Sequence, residues 1–167
     1  PAPGLYLGVV APDLENLSQP SSNALLDDST GTADEESIAM FPPLLTPSGQ
    51  TYTVSVNVTN TTGSDAYLVG YIDFNKDGDF LDTGEKSATV TVNASGSQDV
   101  SFTTPAGMTT GTTYARFRLS STQTQAESSI GAATSGEVED YALPISPSIF
   151  GTIWNDSDAS ITLNGSE

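Results

Sequence analysis

The sequence predicts an all-β sandwich of about eight strands, of jelly-roll type. Two observations predict it. Runs rich in Val, Thr and Tyr alternate apolar and polar residues with a period of two. Clusters of Gly, Pro, Asn, Asp and Ser interrupt these runs about every eight to twelve residues. At 167 residues the chain is long enough for one domain with a proper core and a short appendage.

Residues 4–10 form an apolar run bounded by prolines, as a buried opening strand would. Residues 11–37 lose all periodicity. Residues 38–41 read as a short strand stopped by Pro42 and Pro43, and residues 46–49 as a reversing turn. In the clearest strand, Tyr52, Val54, Val56 and Val58 alternate with Thr51, Thr53, Ser55, Asn57 and Thr59, so one face is buried and the other wet. Residues 66–72 read as a central strand: Leu68, Gly70 and Ile72 on one face and Tyr67, Val69 and Tyr71 on the other both suit a covered surface. Residues 86–92 follow as a strand, and residues 93–97 turn the chain towards a strand around Val100 and Phe102. Residues 112–120 place Ala115, Phe117 and Leu119 on one face and Tyr114, Arg116 and Arg118 on the other. Residues 121–136 are a loop, and residues 137–145 the last strand. Arg116 and Arg118 at spacing two, against Glu137 and Glu139 at spacing two, predict cross-strand charge pairs. The alternative is that Glu137, Glu139 or Asp140 ligates a metal.

Composition narrows the function. Four Lys+Arg against 21 Asp+Glu give a net charge of −17, which repels nucleic acid and anionic lipid surfaces. No apolar stretch reaches the roughly eighteen residues of a membrane span, so direct membrane insertion is not expected. The chain contains no Cys and no His, which excludes Ser-His-Asp and Cys-His catalysis within it and histidine-ligated zinc. Carboxylate pairs for glycoside hydrolysis are available, but a catalytic acid needs a raised pKa and a bound cation lowers it. No enzymatic activity is expected.

The acids are concentrated. From Asp73 to Glu85 the chain reads Asp-Phe-Asn-Lys-Asp-Gly-Asp-Phe-Leu-Asp-Thr-Gly-Glu. Oxygen side chains at alternate positions with a glycine at the turn are how a calcium loop is written, since Ca²⁺ takes six to eight oxygens. Asp73, Asn75 and Asp77 are expected to wrap one ion, with Asp79 adding its carboxylate or carbonyl and Glu85 closing the set. The twelfth position, where an EF-hand carries its bidentate glutamate, is Gly84, so this is not a standard EF-hand. The loop also joins two predicted strands rather than two helices. A solvated acidic turn is the alternative. A second run holds Asp27, Asp28, Asp34 and Glu35, and reads either as a second oxygen-rich metal site or as a disordered acidic loop.

Gly136-Glu137-Val138-Glu139-Asp140-Tyr141, arriving after residues 114–120, closely resembles the GEVED domain, a bacterial extracellular β-sandwich module. Asp27-Asp28 with Gly31 and Asp34-Glu35, and residues 70–80, resemble other blocks of that family in the same order. The resemblance covers residues 4–146, with Tyr71 near a position where the family commonly carries tryptophan. It implies a non-catalytic module of a large secreted or surface-attached protein, beside adhesin repeats or peptidase domains. Residues 147–167 are expected to be a linker and then a truncated neighbour or terminal edge strand. Within them Phe150-Gly151-Thr152-Ile153-Trp154-Asn155-Asp156 resembles the start of an adhesin B-type repeat. The chain's two ends read as those of an excised fragment. The expected function is a calcium-stabilised structural or adhesive module whose partners are neighbouring modules and a glycan or protein surface. The alternative is a carbohydrate-binding module using Tyr52, Tyr67, Tyr71 and Tyr114.

Overall fold

The computed structural model describes residues 4–12, 37–131 and 134–148. Among these residues eight strands form two sheets packed as a sandwich. They are β1 (Leu5–Leu7), β2 (Leu44–Leu45), β3 (Thr51–Asn60), β4 (Ala66–Ile72), β5 (Val90–Val92), β6 (Gly96–Thr103), β7 (Gly111–Ser120) and β8 (Glu137–Ser146), with one short helix, α1 (Gln123–Ala126), between β7 and β8. The strands divide three and five, in the orders β1-β3-β6 and β2-β8-β7-β4-β5. Every pairing is antiparallel except that of β2 with β8.

The core lies between the sheets. From the smaller sheet come Leu5, Leu7, Tyr52, Val54, Val56, Val58, Val100 and Phe102; from the larger come Leu44, Ala66, Leu68, Ile72, Val92, Ala115, Phe117, Leu119, Leu143 and Ile145. The period of two along β3 puts each valine of the strand in this layer and each Ser and Thr outside it, where Thr53 bonds Ser101 and Ser55 bonds Ser97 and Asp99. Gly70 belongs to the inner face of β4. A Cβ there would stand 2.8 Å from Phe102 and from Val100, so the sheets approach closely where β4 crosses beneath β6.

The larger sheet is covered on its outer face too, which is why both faces of β4 are apolar. Val69 and Tyr71 form a second small core with Ala126 of α1, against which Tyr67 and Phe80 pack.

Two strand expectations need correction. Residues 38–41 are not a strand; the short strand of this region is β2, paired in parallel with Ile145 and Ser146. Pro42 and Pro43 have no N–H to give a ladder, and pairing begins only past them. Residues 86–92 are a strand only from Val90, because the Ser87 hydroxyl stands in for a ladder carbonyl. Gly70 N donates to Ser87 Oγ at 2.9 Å, and Lys86 is left in an isolated bridge with Tyr71.

Candidate metal centre

The connection from β4 to β5 is tied at both ends. Asp73, 3 % exposed, accepts Lys76 N at 2.6 Å, Asp77 N at 3.2 Å and Gly78 N at 3.0 Å, so its carboxylate organises the turn from inside. Lys76 adopts a positive φ of 63° there, and its ammonium reaches across to the carbonyls of Thr109 and Thr110. Gly78 follows at φ 95°, in the left-handed region that the sequence reserved for glycine. At the far end Glu85, 1 % exposed, accepts Phe74 N at 3.0 Å and Asp82 N at 3.3 Å. Burial pushes its carboxyl up to about 7, with the charge of Asp73 acting in the same direction.

Between these ties three exposed carboxylates converge. Asp77, Asp79 and Asp82 each place an oxygen within 4.8 Å of the others, and together they could hold a metal ion. Asn75 borders them, its amide donating to Asp77 at 2.9 Å and to Asp82 at 2.6 Å. The Asn75 amide holds the Asp77 carboxyl below its ordinary value. Of the five loop residues singled out in the sequence, the fold therefore gathers Asp77 and Asp79, with Asn75 beside them. Asp73 and Glu85 turn their carboxylates to backbone N–H groups. Asp82 joins the cluster unannounced, although its spacing of three from Asp79 is the signal that would have included it. Asp27, Asp28, Asp34 and Glu35 lie outside the described residues, as does the repeat-like run from Phe150 to Asp156.

The charge pairs across β7 and β8 differ from those expected. Arg116 bonds Asp140 through two nitrogens, with Nε at 2.6 Å, and its Nη1 donates to Ser129 O at 2.7 Å. The register pairs Arg116 with Asp140 and Arg118 with Val138, while Glu139 stands opposite Phe117 and Glu137 opposite Leu119. Side-chain direction alternates, so a shift of one residue moves a whole set to the other face. The spacing of two was right and its parity was not. Glu139 faces inward, where the hydroxyls of Ser37 and Tyr141 both donate to it. Glu137 accepts Leu7 N at 2.6 Å, joining β8 to β1 of the opposite sheet. Gly136 has a φ of 84°, and a Cβ on it would fall on the Leu119 carbonyl oxygen. Each polar residue of the run 136–140 thus has its own structural task.

Residues 67–144 match the GEVED domain family. The GEVED match begins in β4 and ends in β8, so it takes in the acidic loop, the outer cover and the Arg116–Asp140 pair, and is narrower than the resemblance over residues 4–146. No curated protein matches the chain. Among the described residues no helix is long and apolar enough to cross a membrane.

The aromatic residues considered for carbohydrate divide. Tyr52 and Tyr71 are buried, their hydroxyls donating to Pro42 O and Ala126 O, whereas Tyr67 and Tyr114 are half-buried. An open groove of about 680 Å³ between Leu44 and Tyr52, bordered by Pro43, Pro47 and Pro147, is lined by no charged side chain.

Proposed function

We propose that this chain is a non-catalytic module of a secreted or surface-attached protein, stiffened by Ca²⁺ at Asp77, Asp79 and Asp82 and serving a structural or adhesive role. One observation carries the reading: the convergence of three carboxylates in a loop whose donors are all oxygen. Two oxygens that each lie about 2.4 Å from one Ca²⁺ can be no more than about 4.8 Å apart, and the three carboxylates each place an oxygen within that distance of the others. Hard oxygen donors without nitrogen or sulfur favour Ca²⁺ over Zn²⁺ or copper. Asp77, Asp79 and Asp82 would hold the ion, with Asn75 at the border of the set. Three like charges so close repel one another, and the ion offsets that repulsion only when the loop is closed. Binding to the folded form alone adds about 2.7 kcal/mol at a hundredfold excess over Kd. Calcium-rich extracellular fluid suits such a device, and neighbouring modules of the same chain are the partners that would gain from its stiffness. The buried carboxylates of the GEVED region are engaged in hydrogen bonds that hold strands and loop ends, which supports a scaffold rather than a catalyst.

Thermal melts in EDTA and in millimolar CaCl₂ test this. Calcium should raise the midpoint of the wild type by about 5–10 °C, and Asp77→Ala or Asp82→Ala should remove the rise. Equal midpoints in both buffers would reduce the loop to a solvated turn.

A further inference from the structure

We infer that Arg118 is the receptor for a small carboxylate ligand, which takes beside it the place that Asp140 takes beside Arg116. The two arginines stand two residues apart on the outer face of β7, where Arg116 is 4 % and Arg118 2 % exposed. Each turns its Nη1 to a carbonyl of the segment above, Arg116 to Ser129 O at 2.7 Å and Arg118 to Ile130 O at 3.2 Å. Arg116 then lays its Nε and Nη2 edge against the two oxygens of Asp140, with Nε at 2.6 Å. Arg118 has no such partner. Its Nε is buried without an acceptor, and the bond to Ile130 is the one hydrogen bond its guanidinium makes among the described residues.

The neighbouring acids are placed elsewhere. Opposite Arg116 on β8 stands Asp140, but opposite Arg118 stands Val138. Glu137 and Glu139 belong to the other face, and Glu127 accepts from Thr89 and Gln123. Burial pulls the Arg118 guanidinium below its ordinary value, with Tyr71 opposing and the charge of Arg116 adding to the effect. A buried guanidinium costs stability until it is paired, and a planar carboxylate meets its side-on fork with two parallel bonds. The net charge of −17 repels polyanions, so the ligand that fits is a small acid carrying one carboxylate.

The covering segment is held unevenly. Around α1, Gln125 accepts from Ser120 and from Thr134, Ser135 bonds Ser121, Glu127 accepts from Thr89, and Tyr71 donates to Ala126 O. Beyond it, the hydrogen bonds from the sheet to residues 128–131 are those of Arg116 and Arg118 among the described residues. Ile130, whose carbonyl lies on Arg118, is 68 % exposed. That carbonyl also accepts Ser128 Oγ at 2.8 Å, so it keeps a donor when Arg118 turns to a ligand. A carboxylate therefore reaches the guanidinium by displacing the tip at Ile130, beside half-buried Val138, while the rest of the segment stays in place.

The chain has two arginines, so NMR of the arginine ¹⁵Nε–H groups gives two resonances, which Arg118→Gln assigns. Sodium acetate and sodium glucuronate are titrated at constant ionic strength, with sodium chloride as the reference. One or both acids should move the Arg118 resonance saturably, with half-saturation in the millimolar range, and leave that of Arg116 in place. Movement with both acids supports a site for the carboxylate itself; with glucuronate alone, a site for an acidic sugar; with acetate alone, a site for a small free acid. A shift that never saturates, that chloride reproduces, or that falls equally on both arginines overturns the site. Val138→Asp gives a second reading that does not depend on Arg118→Gln folding. It sets a carboxylate opposite Arg118, and should carry the Arg118 resonance towards that of Arg116 and abolish the response to both acids. An unchanged titration in Val138→Asp overturns the site as well. Calcium plays no part in these titrations, so their outcome is independent of the metal reading.

Discussion

Gly136 carries the plainest requirement of any single position. It combines a left-handed backbone with a carbonyl where its Cβ would be, and neither can yield without moving β7 against β8. Gly136→Ala should lower stability by about 3 kcal/mol, as the sum of a left-handed penalty and an overpacking penalty, measured by urea unfolding. Gly70→Ala meets only side-chain atoms of Phe102, Val100 and Phe117, which can shift, and should cost less. Tyr71 sets a limit in alkali. Burial pushes its hydroxyl up to about 12, partly offset by the charge of Arg118. A raised folded value means that this contribution is intact below the ordinary pKa near 10 and is lost as pH rises through 12. Melting points taken from pH 8 to 12 should therefore fall less steeply in Tyr71→Phe than in the wild type. The variant should start about 1 kcal/mol lower, for want of the bond to Ala126.

At the scale of elements, the pairing of β7 with β8 gives a sharp test of parity. A double-mutant cycle on Arg116 and Asp140 should return a coupling of about 1–3 kcal/mol, and the same cycle on Arg116 and Glu139, which face opposite sides, close to zero. The sequence set Arg116 and Arg118 against Glu137 and Glu139 at spacing two, whereas the ion pair across these strands is Arg116 with Asp140. It could not show which acid met which arginine, since that depends on a register fixed by the turn between them. The acidic loop was legible in the same partial way. Alternating oxygens and a glycine located it, but only the fold revealed that Asp73 and Glu85 spend their carboxylates on backbone N–H groups. Those bonds show how the loop is tied and leave lone pairs on both carboxylates, so they do not decide which of its acids would ligate an ion. α1 escaped notice because four residues of Gln, Thr and Ala carry no helical period.

For the whole molecule, the sandwich followed from alternating runs and the turns between them, with β3 and β4 carrying the clearest patterns. Their two patterns, one face apolar and both faces apolar, already describe an outer sheet and a sheet with a second cover. The division into three and five strands did not follow, since β1, β2 and β5 are two or three residues long and owe their existence to partners rather than to pattern. The contact between β1 and β8 has a mechanical meaning. These are the first and last strands described, so tension applied along the chain enters the sandwich through one and leaves through the other. Glu137 bridges them by its bond to the Leu7 amide, a cross-tie at the point where a pull would first part the two sheets. In single-molecule stretching, Glu137→Ala should lower the force at which the module gives way by more than its loss of equilibrium stability implies. A strut of that kind resists shear, whatever it adds to the fold at rest.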